Sequence, residues 1–486
     1  MRRTAFGTAT LALVVVGCAH TTPSINGVVP APSASSALWS PPAAVTAAGA
    51  RDTAGLALSR TATRQFTLPE VIDVALRNSP ATKVSWTQAR AAVDVYGSTE
   101  GRLFPTVLAG VTANQQLTAP TPGRAAVERA QYGPSISLSY TVLDFGGRTG
   151  SINVARQTAV AADLTHNATV ENTILQVESA AFGYLGTRAQ RDAAKVALDE
   201  ATAALDAANE RHRVGLATIA DVLQARTARS QAELALQTFE GALMVARGGL
   251  AVSMGLPANT PVDIPDVPAA DSVHFVAESV DTLIELAVRN RPELATARAQ
   301  AAAAQSQIRV VRSASLPALA LTATGATNGS SAPGFSGPVY QAGVGIQVPV
   351  FTGFSTQYDI RAAQEQYQSA LARAEVTKQQ VIQQVFTAYY TLRTSTDRVR
   401  TTRDLLASAT QSEVVARERY KEGVGSIVDL LIAQSALASA RAESANARWG
   451  WRSALAQLAH DVGILNARGD TTFSQLTPAP DVRPDR

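Results

Sequence analysis

A single cysteine in 486 residues excludes an internal disulfide framework and any cysteine-rich metal site. The five histidines, His20, His166, His212, His274 and His460, lie far apart without metal-ligand spacing. Charge of one sign is also lacking. Lys and Arg number 42 against 39 Asp and Glu, a net +3, and loss of Met1 to Gly17 would remove Arg2 and Arg3, leaving +1 (3 − 2). These charges are interspersed along helical stretches, so no nucleic-acid footprint is present. Beyond the N-terminus there is no run of about 18 apolar residues, which excludes a transmembrane helix and leaves β-structure as the only membrane-spanning option. No Ser/His/Asp order, phosphate loop or paired-carboxylate pocket stands out, and Asp144-Phe145-Gly146 lacks kinase context, so catalysis and cofactor chemistry have no candidate.

The N-terminus supplies an address. Met1-Arg2-Arg3, the apolar stretch Ala9 to Val16 and Gly17-Cys18 have the charged, apolar and small-residue regions of a secretory signal. Val15-Val16-Gly17-Cys18 resembles the bacterial lipobox, which implies lipidation of Cys18 and accounts for a lone cysteine in an oxidising compartment. An ordinary signal peptide with an incidental cysteine is the other reading. Ala19, where Asp is absent, resembles sorted lipoproteins of the outer membrane.

After a stretch rich in Ala, Ser, Pro and Thr, the chain is written twice. Val71 to Pro80 matches Leu283 to Pro292 at a shift of 212 (292 − 80), and Arg211, Gly215, Ile219, Asp221 and Leu223 match Arg419, Gly423, Ile427, Asp429 and Leu431 at 208 (423 − 215). The expected divisions are 1–17 signal, 18–65 lipidated cysteine and tether, 66–255 first repeat, 256–279 linker, 280–463 second repeat and 464–486 disordered tail. Each repeat begins with an amphipathic helix stopped before a proline, then a second helix reaching toward Pro105 or Pro317. Two strands follow. Ile136, Leu138, Tyr140 and Val142 alternate with Ser and Thr, as Val344, Ile346, Val348 and Val350 do with Gly, Gln and Pro349. Partner strands are expected near 107–113 and 319–325, with Gly-, Pro-, Ser- and Thr-rich loops at 114–129 and 327–338. Proline-free stretches at about 147–213 and 355–421 then predict helices of ~100 Å at ~1.5 Å rise per residue. Tight turns at Gly215 and Gly423 reverse the chain into further helices.

Strand pairs with one apolar face cannot stay open-edged in lipid. Four strands are too few for a single-chain outer-membrane barrel, which starts at about eight, so several copies would share one. A soluble sheet packed on helices is the rival. Phe104, Tyr132, Phe145, Phe335, Tyr340 and Phe351 would sit at membrane interfaces in the first case and are plain packing in the second.

Leu68-Pro69-Glu70, Ala75 to Pro80, the turn Leu143 to Arg148, and the tip motifs Arg211 to Leu223 and Arg419 to Leu431 together resemble the TolC-like outer-membrane efflux family, in its lipid-anchored branch. The resemblance covers about residues 66 to 463. It implies a mostly α fold with a membrane β-barrel part: a homotrimer in which four strands per chain give twelve, continued by a long α-helical tunnel. It also implies a periplasmic adaptor (membrane fusion) protein and an inner-membrane transporter, proton-driven in the leading reading, as partners. The function implied is a passive exit duct for small molecules, with a type I protein secretion outlet as alternative. A non-pore periplasmic scaffold lipoprotein is the reading from another class.

The resemblance places an entrance gate at Asp221, Asp429 and Tyr420, and adaptor contacts at Val214, Gly215, Leu216, Gly423, Val424 and Gly425. In the family a second Asp one turn later and a tip Arg complete the constriction; here Ile432 and Gly425 stand at those places. Two carboxylates per chain in three chains would gather six around the hole and favour cations. Thr218 to Asp221 and Ser426 to Asp429 read equally as helix-capping boxes, and Tyr420 as a packing aromatic.

Overall fold

The computed structural model describes residues 64–118, 127–265, 279–330 and 337–465. The signal sequence, Cys18, most of the expected tether, Phe335, and residues 466–486 of the expected tail lie outside them.

Each repeat opens with two short helices, α1 (Leu68–Asn78) and α2 (Pro80–Gly101) in the first. Thr67 starts α1, its backbone N–H and hydroxyl donating to Glu70 Oε2 at 2.8 and 2.9 Å. Pro80 cannot continue that helix but suits the first turn of the next, which Ser79 caps through a bond from the Thr82 N–H. Strands β2 (Thr106–Thr118) and β3 (Val127–Leu143) come next, then α3 (Gly147–Arg213) and α4 (Ile219–Ser253). The second repeat has α5 (Val280–Asn290), α6 (Pro292–Ser313), β5 (Ala318–Ser330), β6 (Gly337–Gln347), α7 (Ser355–Lys421) and α8 (Ile427–Val462). Helices α3 and α7 have 67 residues each. At ~1.5 Å per residue they run ~100 Å. Alanine at their buried positions, Ala201, Ala204 and Ala208 among them, lets neighbouring helices approach closely while keeping helix propensity.

The strands run into the expected loops, β2 to Thr118, β3 from Val127, β5 to Ser330 and β6 from Gly337, because the alternation continues through Gly-, Thr- and Gln-rich segments that pair in the ladder, and two further elements differ from the sequence reading. Arg64–Gln65 (β1) pairs in parallel with Val262–Asp263 (β4), so the last residues of the expected tether and part of the expected linker form a two-stranded clasp. Tyr184 Oη and Arg188 Nη1 hold Asp263 at 2.7 and 3.0 Å, fixing the clasp to the middle of α3. The second difference is at β6, which stops at Gln347. Pro349 has no N–H to extend the ladder, so Val348 and Val350 fall outside it.

The main core is a waist where α1 and the clasp pack on the centre of α3 and the ends of α4 and α8, around Val71, Ile72, Val177, Tyr184, Leu185 and Leu250. A second cluster, Leu283, Val385, Leu392, Trp451 and Leu458, joins α5, α7 and α8. Among the described residues no helix is long and apolar enough to cross a membrane.

Candidate functional site

The four long strands form one antiparallel sheet in the order β2-β3-β5-β6, with β2 and β6 as its two edges. Register decides what each face carries. Ile136 faces Ala109 and Gly325, Leu138 faces Val107 and Ala323, Tyr140 faces Leu321, and Leu321 faces Val344. Directly opposed residues share a face, so from Val107–Val111 across to Tyr340–Ile346 one side of the sheet is apolar, with Gln115 and Thr327 on it toward the loop end. The other side sets Ser139 opposite Thr106 and Thr322, Ser137 opposite Thr324, and Thr324 opposite Gln341, with Leu108, Val339, Ala318, Ala320 and Ala326 among its apolar residues. The apolar side is not covered by the helices: Val111, Tyr340, Val344 and Ile346 are all exposed. Among the described residues β2 and β6 each have a strand neighbour on one side, and a sheet with a bare apolar face and a hydroxyl-rich opposite face is a fragment of a closed barrel, since such a sheet is stable in lipid only when its edges are paired.

The other end of the long helices carries the expected tips. Val214, Leu216 and Val424 are exposed, and Gly215 and Gly423 have φ of +77° and +80°, left-handed backbone that reverses each chain. Thr218 and Asp221 form a complete capping box: the Thr218 N–H and hydroxyl donate to Asp221 Oδ2 at 2.8 and 2.9 Å, and the Asp221 N–H donates back to Thr218 Oγ1 at 3.3 Å. Ser426 and Asp429 repeat this, with backbone bonds of 3.4 and 3.0 Å. Both carboxylates therefore serve as caps in the single chain, Asp221 half-buried and Asp429 exposed in a groove with Arg419, Gly425 and Ile432. A Cβ at Gly425 would lie 3.1 Å from the Arg419 backbone, so a larger residue there needs the turn to shift by a few tenths of an ångström.

Tyr420 is buried, in a cluster with Ala208, Val222, Ile427 and Leu430 that joins the two tips. Its hydroxyl has no hydrogen-bond partner. Burial pushes that phenol above its ordinary value, the Arg211 charge opposes this and the Asp221 charge adds to it. Arg211 was not assigned a role by sequence. Its guanidinium lies 4.8 Å from the Tyr420 ring centroid and donates to the Tyr420 carbonyl, tying one repeat's tip to the other's. The two tip motifs differ where Tyr420 stands against His212, and that asymmetry is the sequence signal for it. Above the tips, a groove of about 710 Å³ runs between α3, α4 and α8, lined by alanines and glutamines with Leu223, Phe239 and Ile432.

Buried ions at the waist also escaped the sequence reading. Arg291 pairs with Asp461 at 3.2 Å, with side chains 4% and 6% exposed, and reaches Glu293 and Gln384. Burial raises the Asp461 carboxyl, but bonds from His460 and Gln457 and the charges of His460 and Arg291 hold it below the ordinary carboxylate value. Glu178, 1% exposed and with Oε2 unpartnered, is pushed by burial up to about 7.

A two-faced sheet too narrow to close alone, set on paired helices of ~100 Å, defines an oligomeric outer-membrane duct protomer. A model of the outer membrane efflux protein family matches residues 71–256 and 283–463, and the chain belongs to that family. It is 27% identical over 380 residues to protein CyaE of Bordetella pertussis, covering 77% of this chain and 79% of that protein. It is 26% identical over 357 residues to outer membrane protein TolC of Escherichia coli, covering 68% and 69%. The fold is that of the Campylobacter jejuni CmeC outer membrane channel, with TM-score 0.74 at 17% identity, over 84% of this chain and 88% of that one.

Proposed function

We propose that three copies of this chain pair edge to edge, β6 of one with β2 of the next, to close a twelve-stranded barrel continued by the long helices as a periplasmic tunnel. The observation that carries this is the sheet itself: four strands in register, one apolar face and one hydroxyl-rich face, with β2 and β6 as its edges. Such a duct is the outer-membrane exit of a tripartite efflux system. It is passive, with no catalytic step of its own, and energy comes from an inner-membrane transporter through a periplasmic adaptor. The adaptor would meet the exposed tip residues Val214, Leu216 and Val424 beside the groove between α3, α4 and α8. Asp221 and Asp429 would ring the entrance, with Tyr420 behind them, and a lipid on Cys18 would add an auxiliary anchor.

Reconstitution tests the reading. Purified protein in planar bilayers should give discrete conductance steps; a scaffold without a pore would leave the bilayer silent, and silence at verified insertion would overturn the duct.

A further inference from the structure

Two polar atoms at the waist are buried with nothing to bond: Nε2 of His460, on α8, and Oε2 of Glu171, on α3. The His460 residue is only 5% exposed. Its other nitrogen, Nδ1, lies 2.9 Å from Asp461 Oδ1, and because Asp461 is held ionised, that nitrogen carries the hydrogen and donates it. Arg291 Nη1 is 3.4 Å from Nδ1 but has acceptors of its own, Asp461 Oδ1 at 3.2 Å and the His460 carbonyl at 3.3 Å. In the neutral ring the open Nε2 is therefore a lone pair. An ionised Glu171 also offers only lone pairs. Both orphans are acceptors, and the donor that would serve them is missing.

The surroundings favour a proton in that place. Glu171 faces Arg291 and Glu293 at the start of α6 and His460 on α8. With Asp461, three carboxylates gather around one guanidinium. Burial raises the Glu171 carboxyl above its ordinary value; the His460 charge opposes this, Glu293 adds to it and Arg291 opposes it. The groups have little room to move apart, since Gly463 ends α8 so near the α5–α6 joint that a Cβ there would lie 3.1 Å from Asn290. Solvent has a way in. A groove of about 560 Å³ between α7 and α8, lined by Gln383, Gln384, Thr387 and Gln457, opens onto Asp461.

We infer that Glu171 and His460 form a proton site, in which one hydrogen on Nε2 or on Oε2 satisfies both atoms, directly or through a water, and ties α3 of the first repeat to α6 and α8 of the second. The proton comes from solvent through the groove, and the only covalent bond that forms is N–H or O–H. Two unmatched acceptors then become a bonded pair, so the folded chain holds this proton more tightly than the unfolded one. The tie is accordingly firm in acid and slackens as pH rises. The waist becomes a pH-sensitive joint between the repeats, and this needs only the packing of one chain, so it stands apart from the shared barrel.

Hydrogen exchange of the full protein in detergent reads the joint at pH 5.5 and pH 8.5, with rates corrected for intrinsic catalysis. Glu178→Gln in every sample removes the other buried acid of the waist. Peptides from the start of α6 and the end of α8 should be about tenfold better protected at pH 5.5, as one proton bound about tenfold more tightly in the folded chain requires, while the middle of α4 stays unchanged. Glu171→Gln supplies an N–H in place of the proton and should keep the acid level of protection at both pH values. A swing that survives Glu171→Gln would overturn the site, as would its absence from the parent, the result if water alone satisfies both atoms. Low protection at both pH values in Glu171→Gln would leave Glu171 a packing role only and also overturn it, as would a swing of equal size in α4. Should Glu171→Gln fail to assemble, Glu171→Met removes one of the two acceptors and should likewise abolish the swing; a swing that persists there contradicts the shared proton.

Discussion

Ser79 and Arg291 occupy the same place in the two repeats, each just before the proline that opens a 22-residue helix, and they hold that place by different chemistry. Ser79 caps, accepting the Thr82 N–H. Arg291 makes no side-chain cap and instead enters the waist to pair with Asp461 and Glu293. The long helices diverge similarly. Helices α3 and α7 begin 208 residues apart (355 − 147), which places Phe386 where the first repeat has Glu178. Phe386 is exposed and stacks near Tyr390, while Glu178 is buried with an unpartnered oxygen. A duplicated backbone thus fixes helix length, turn and strand register, whereas charge at equivalent positions is free to differ. The second repeat's waist is held by the ion network of Arg291 with Asp461 and Glu293, and the first repeat's by apolar packing around the buried Glu178, with the Arg188–Asp263 pair at the clasp.

Removing Arg291 should separate the repeats most sharply. Arg291→Met leaves the buried Asp461 with only His460 and Gln457 as partners, a loss of about 3–5 kcal/mol, whereas Ser79→Ala at the matching place removes a cap, at about 1 kcal/mol. Denaturant midpoints of the detergent-solubilised protein would show this, and equal losses at the two positions would contradict the contrast.

Glu178 gives a pH-dependent counterpart. Its folded value of about 7 lies above the ordinary 4.5, so its contribution is intact below pH 4.5 and is lost as pH rises through 7. Glu178→Gln should flatten that dependence and leave the variant more stable above pH 8, by on the order of 3 kcal/mol per chain. Unfolding midpoints measured at pH 5 and pH 8.5 check it: a gap between variant and parent that does not widen with pH would mean the carboxylate is not desolvated.

The capping boxes at the tips, unlike the waist, keep the same chemistry in both repeats, so paired substitutions there should act alike. Asp221→Asn with Asp429→Asn preserves hydrogen-bond acceptance and removes six charges from a trimer, so cation preference in bilayers should fall, most at ~0.01 M salt where screening reaches ~30 Å. Thr218→Ala with Ser426→Ala should instead leave selectivity unchanged and loosen each tip by about 1 kcal/mol. Selectivity that survives the double Asn change would restrict both carboxylates to capping.

The repeats also show what sequence alone could reach. Both 67-residue helices were legible because proline-free alanine-rich stretches end at paired glycine turns, and Thr218-Ile219-Ala220-Asp221 announced its own cap. Strand identity was legible from period two at Ile136 to Tyr140, but strand ends were not, since Gly- and Thr-rich segments such as 327–330 pair in the ladder despite turn-like composition. Buried ions were invisible because Arg291 and Asp461 lie 170 residues apart and meet only once α6 and α8 are packed. Arg211 was hidden for the same reason, its partner Tyr420 being 209 residues away in the opposite tip.

The shared barrel is the claim on which the entrance and the efflux role both depend, and its stoichiometry is directly measurable. Light scattering of the protein in detergent, with the detergent contribution subtracted by refractive index and absorbance, gives the protein mass per particle. Four strands in each of three chains close a barrel of twelve, so the mass should equal three chains. A folded particle with the mass of one chain would contradict the account.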